Sequence, residues 1–134
     1  MATIEEALVD LLTDDVATNA IVSGRIYPLA MPQGATMPAV VYQRISGPRV
    51  QAHDGPSGLA FPRFQFACIA ATFAAAKTLA NALRVAIDGY QDTSAGVRID
   101  AILVQNEIDL YNYESSELAN SYTVLVDAIV WHHE

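Results

Sequence analysis

His53 and Asp54 stand side by side in "RVQAHDGPSGLAF", residues 49–61, a turn-rich stretch between two apolar runs. A histidine beside a carboxylate is the raw material of an acid/base dyad. Catalysis, however, needs a base, a nucleophile or metal, and stabilising donors held rigidly around one reacting atom, and neighbours in a turn rarely aim at a common point. Gly55, Pro56, Ser57 and Gly58 follow, and they are reversal chemistry: glycine supplies free φ and proline a fixed one. The pair reads as the tip of a hairpin.

The remaining groups that could do chemistry fare no better. His132, His133 and Glu134 end the sequence, but consecutive histidines on a strand point to opposite faces and do not converge on one ion, so they read as a solvated C-terminal end. Glu107, Asp109, Glu114 and Glu117 form an acidic run without the alternating oxygen ligands and glycine turn of a calcium loop. Such a run suits a solvated or lumen-facing edge. Tyr111 and Tyr113 share one strand face, yet their neighbours are Asp109 and Glu114 rather than the Lys and Arg that a nucleic-acid stacking platform wants; contact with protein fits them better. Cys68, the only cysteine, lies in a strand pattern as a small core hydrophobe and excludes an internal disulfide. Ser57 in "GPSGL" misses the nucleophile-elbow spacing, and no phosphate loop, zinc spacing or dinucleotide fingerprint is present. The reading is of a non-enzyme with no catalytic, cofactor-binding or metal-binding residues.

Composition narrows the partners. Seven Lys and Arg, spread along the chain, face 15 Asp and Glu, a formal net charge of −8. Phosphate binding needs clustered cations, so direct DNA or RNA binding is not expected, whereas a surface that DNA must pass without sticking would be negative for the same reason. The longest apolar runs, "FACIAATFAAA" and "YTVLVDAIVW", are shorter than the ~20 residues that cross a bilayer. The acidic, periodic start "MATIEEALVDLL" is unlike a secretory signal, which points to the cytosol.

These groups must be positioned by an ordered frame, and 134 residues, 52% of them apolar, suffice for one core. Thr3 and Glu6 have capping-box spacing ahead of Ile4, Ala7, Leu8, Leu11 and Leu12, which predicts an amphipathic helix over residues 3–13. A short helical turn ended by Gly24 leads into a brief strand at Arg25, Ile26 and Tyr27, followed by an irregular crossing with three prolines. "AVVYQRISG" and "FPRFQFACIAA" should pair as an antiparallel hairpin, with Phe64, Phe66, Cys68 and Ala70 facing the core and Arg63 and Gln65 facing away. Thr72 caps a second main helix, 72–88, with Ala76, Leu79, Ala80, Leu83, Ala86 and Ile87 as its apolar stripe. A long, bending strand from Val97, a reversal at "ESSELAN" and the closing strand "SYTVLVDAIVWHHE" complete the chain. The fold class is α+β: one domain over residues 1–134, a mostly antiparallel sheet with long β-hairpins and two main helices on one face. The other face, with Ile45, Leu125, Ile129 and Trp131, stays half apolar, a common property of oligomer contacts.

The stretches "IEEALVDLLTDD", "GRIYPLAMPQGATMPAVVYQRISG", "DGPSGLAFPRFQFACIAATFAAAKTLANALRVAIDG" and "LVQNEIDLYNYESSELANSYTVLVDAIVWH" together resemble the tail terminator, or head-to-tail joining, proteins of long-tailed bacteriophages. The resemblance implies a small α+β subunit of the virion, assembled in the host cytoplasm, usually as a hexameric ring. Such a ring caps the head-proximal end of the tail tube, stops polymerisation and offers a surface to the head connector or stopper. It implies no cofactor and no membrane, and DNA that passes through the bore without specific binding. On this reading Arg49, His53 and Asp54 become interface groups against a neighbouring subunit or the tube, Tyr111 and Tyr113 protein contacts, and Asp109, Glu114 and Glu117 acids of the lumen. A stopper or head-completion protein one place nearer the capsid is the alternative within the class. A small ligand-binding or enzymatic α+β domain is the alternative outside it, but the inward stripes of Ala, Leu, Val, Ile and Phe leave such a domain no polar pocket.

Overall fold

A computed structural model describes residues 3–30, 32, 34, 36–53, 55–112 and 121–134. Helix α1, Ile4–Asp14, begins where Thr3 accepts a hydrogen bond from the Glu6 N–H at 3.2 Å, and it buries the predicted stripe of Ile4, Ala7, Leu8, Leu11 and Leu12. The expected helical turn is a complete short helix, α2, Val16–Val22. Asp15 caps it by accepting from the Thr18 N–H, and Ser23 and Gly24 end it at positive φ. Helix α3, Phe73–Ile87, starts at Thr72, whose hydroxyl accepts from the Ala75 N–H, and buries Ala76, Leu79, Ala80, Leu83 and Ile87.

The strands are β1 (Ile26–Pro28), β2 (Ala39–Ser46), β3 (Arg49–Ala52), β4 (Gly55–Ala60), β5 (Arg63–Ala70), β6 (Asp92–Ser94), β7 (Val97–Asn112) and β8 (Ser121–His133). Sequence reading missed two features of this set. β6 forms a tight hairpin with β7 through Ala95 and Gly96, both at positive φ, in a segment too polar to show alternation. β1 joins β2 in parallel, a minority partner in a sheet that is otherwise antiparallel.

Register explains the long hairpin. Val40 pairs with Cys68, Arg44 with Phe64, Arg49 with Ala60 and Ala52 with Gly55, so β2 and β3 form one arm and β4 and β5 the other, turning at His53. Pro48 and Pro62 interrupt the arms at the same level, because neither proline can donate to a ladder. The Phe61 N–H still bonds to the Pro48 carbonyl at 3.1 Å and the Val130 N–H to the Pro62 carbonyl at 2.9 Å, which keeps the kinked arms in contact with each other and with β8. Across the sheet the order is therefore β1, the β2–β3 arm, the β4–β5 arm, β8, β7 and β6.

One face carries Val40, Phe64, Phe66, Cys68, Ala70, Ile99, Ile102, Val124, Val126, Ala128 and Val130, and the apolar stripes of the helices join them in one core. The small Ala76 and Ala80 let α3 lie close to the strands. The opposite face has no helix among the described residues.

Candidate functional site

The chemical candidates resolve as follows. His53 is exposed at the hairpin turn. Asp54, Tyr113, Glu114 and Glu117 lie outside the described residues, as does the side chain of Tyr111. Arg49 does not reach outward freely: its Nε lies 2.8 Å from Glu134 of the same chain, which raises the guanidinium pKa and lowers that of the carboxyl. Asp109 is clasped, with Glu107, by Lys77 of α3 at 2.7 and 3.0 Å. Those hydrogen bonds, the one to Asp109 first, raise the lysine pKa.

The C-terminal histidines point to opposite faces, as strand alternation requires. His133 is exposed and meets Asp100 at 2.8 Å. His132 corrects the expectation of a solvated end: it is only 5% exposed on the helix side of the sheet, opposite Ile99, because β8 runs on to His133 rather than fraying. Its Nε2 has no hydrogen-bond partner among the described residues, and burial lowers its pKa below the usual 6.5, with Arg44 contributing in the same direction and the His133 carbonyl, Glu134 and Glu5 opposing. The folded state thus binds the proton less well than the unfolded chain. Stability contributed by neutral His132 is complete above pH 6.5 and is lost as pH falls below it toward the folded pKa. Urea melts between pH 8 and pH 5 should show this slope in the wild type and a flatter one in His132→Gln; equal slopes would count against the assignment.

Cys68 is fully buried, and burial pushes its thiol far above the ordinary range, so it stays protonated and unreactive.

Charge placement is more informative than any single residue. Each of the seven basic side chains is engaged within the chain. Arg25 donates to the Pro38 and Ile21 carbonyls and Arg84 to Asn81, while Arg44, Arg49, Arg63, Lys77 and Arg98 pair with Glu5, Glu134, Asp127, Glu107 plus Asp109, and Asp100. Five of the seven cations face carboxylates of their own chain and the other two donate to neutral acceptors, so a molecule of net charge −8 gathers no cluster of free cations of the kind phosphate binding uses.

The open sheet face carries an exposed apolar area. Leu125, Ile129 and Trp131 are half-buried there, and Trp131 stacks on Phe61 with centroids 4.5 Å apart. Leu103, Ile108 and Leu110 extend the apolar area at 44%, 40% and 49% exposure. Arg63 and Asp127 meet at 3.3 Å in its middle, leaving Arg63 Nε and Asp127 Oδ1 buried without partners among the described residues. Sequence reading missed Ile108 and Leu110. The irregularity between Val104 and Asn106 shifts the alternation by one residue, so that both join Leu103 on the open face while Glu107 and Asp109 turn to α3.

Residues 6–131 match the family described as tail completion protein gp17. The chain belongs to that family. It is thereby a structural protein of a phage tail, as the sequence resemblance implied. In fold it is similar to a chain of a solved particle titled "Virion of native gene transfer agent (GTA) particle", with a TM-score of 0.74 at 20% identity over 96% of this chain and 92% of that one. No curated protein matches it. In a tail completion protein the surfaces of interest are those free to meet other proteins, and the uncovered sheet face and the hairpin are exposed here.

Proposed function

We propose that this chain is one domain over residues 1–134 and forms a ring, a hexamer in the tail-terminator manner, on the head-proximal end of the tail tube. The ring ends tube polymerisation and presents the docking surface for the head connector or stopper. The observation that carries this reading is the family match over residues 6–131. Two features support it. A ring needs a contact between unlike patches that closes by rotation, and a half-apolar sheet face together with a long hairpin provides them. A bore that conducts DNA must not bind it, and five of the seven cations are already paired with carboxylates of their own chain. Arg49, His53 and Asp54 serve at the hairpin contact, Tyr111 and Tyr113 face protein, and Asp109, Glu114 and Glu117 belong near the lumen.

The test is tube growth. Purified tube protein polymerising with this chain present should give tubes that stop elongating and carry it at one end only. Tubes that lengthen as fast with it as without it would refute the proposal.

A further inference from the structure

The ring proposed above needs two unlike patches, and the sheet offers them at its two edges. β7 pairs with β8 from Ile99 to Asn112, but on its other side, among the described residues, it meets a strand only at Val97–Ile99. The Gly89 N–H then donates to the Ile102 carbonyl at 2.8 Å and the Val104 N–H to Asp88 at 3.3 Å. From Gln105 to Asn112 that side has no strand beside it among the described residues.

Ladder parity shows which groups face outward. The Val130 N–H bonds to Pro62, so the even residues of β8 turn their backbone toward the β4–β5 arm and the odd ones toward β7. Asn106, Ile108 and Leu110 lie opposite Asp127, Leu125 and Thr123 and direct their N–H and C=O groups into the ladder. Glu107 and Asp109 direct theirs away from the sheet. At the opposite edge β1 stops at Pro28, beside Tyr42, and the Tyr42 carbonyl faces outward to accept from the Leu29 N–H at 2.9 Å. Two residues on, Arg44 turns its own backbone groups the same way, and no strand lies outside Gln43–Ala52 among the described residues.

The two edges are complementary. "QNEIDLYN", 105–112, carries two acids and no base, and "QRISGPRVQA", 43–52, two arginines and no acid; within one subunit Lys77 holds the acids and Glu5 and Glu134 the arginines, so charge pairing across the two edges exchanges these partners. Exposed aliphatic side chains sit at both, Ile108 and Leu110 on one and Ile45, 48% exposed, on the other. An open edge with such residues is a template for another strand.

We propose that the free edge of β7 in one copy pairs with the β2–β3 edge of the next, continuing the sheet from subunit to subunit. β2 runs against β5, β5 against β8 and β8 against β7, so β7 and β2 have opposite sense. The new neighbours join antiparallel when every copy has the same sense along the ring axis. The inference rests on the ring reading.

Asp109→Pro deletes an outward N–H and spares the ladder donors of Ile108 and Leu110. It should bind tubes at least about tenfold more weakly than the wild type, whereas Asp109→Ala, which removes only the carboxylate, loses about a few-fold. In the wild type, amide exchange at Glu107 and Asp109 should slow by at least about tenfold on assembly. Assembly of Asp109→Pro at wild-type strength, or unchanged exchange at these amides in the ring, overturns the edge pairing and leaves the ring standing. A wild-type chain that never oligomerises on tubes overturns both. Should Asp109→Pro not fold, the wild-type exchange decides.

Discussion

Truncating Phe64 to alanine should lower the unfolding free energy by about 3–5 kcal/mol, a large part of the ~5–15 kcal/mol that holds a domain of this kind together. Phe64 is completely buried, with its ring centroid 6.5 Å from that of Phe66, and it belongs to the core that joins α1, α3 and the central strands. The Arg44 guanidinium lies 5.4 Å from the ring centroid and pairs with Glu5, so the aromatic ring also supports an ion pair that ties β2 to α1. The replacement leaves a cavity bounded by backbone of two neighbouring strands, Arg44 on β2 and Ala128 on β8, which cannot collapse into it without breaking ladders. Urea denaturation is the check: the midpoint should fall with little change in slope. A loss below about 1 kcal/mol would mean that the core is not organised around this residue.

Deleting residues 51–57 should have the opposite profile, an intact fold with capping lost. The deleted tip holds His53 and ends beyond the last contacts that matter to the fold. The Arg49–Glu134 ion pair and the pairing of Leu59 with His133 both lie outside it. Arg49 faces Ala60 across the hairpin, so the cut ends at Val50 and Gly58 already lie about one strand spacing apart, ~5 Å, and rejoin without distorting the arms. The thermal transition should remain cooperative, with a midpoint shifted by only a few degrees, about what a loss of ~1 kcal/mol causes in a domain of this size. Tubes, in contrast, should grow past their normal stop. Normal capping by the deleted protein would remove the hairpin from the assembly surface.

Which parts of this structure could be read in the sequence follows from where the signal is local. The stripe of α1, the Thr3 and Thr72 caps, and the alternation of Phe64, Phe66, Cys68 and Ala70 are set by neighbours within a turn or two, and each stands as expected. The long hairpin was legible too, because its turn residues and apolar arms are contiguous. What failed was whatever depends on a distant partner. β6 exists only because β7 folds back on it, and β1 runs parallel to β2 only after an irregular crossing. His132 is buried because the strand end pairs with Ile99, thirty-three positions earlier, and it lines one cavity with Thr3, Ile4 and Glu5 from the opposite end of the chain.

The same limit applies to the assembly surfaces. The half-apolar face could be seen in Leu125, Ile129 and Trp131, whose alternation is unbroken. Ile108 and Leu110 could not be assigned a side without the irregularity near Gln105, since one inserted residue exchanges the two faces of a strand. The acids assigned to the lumen were chosen by charge alone. Asp109 shows how much such a choice omits, because Lys77, thirty-two positions earlier in the chain, already holds it.

The most direct measurement is an image of the particle's capsid–tail junction, averaged about the tail axis, with this chain located by its own density. The account predicts a closed ring of identical copies on the head-proximal end of the tube and nowhere else, with the bore open. Finding the chain distributed along the tube, or absent from the junction, would contradict it.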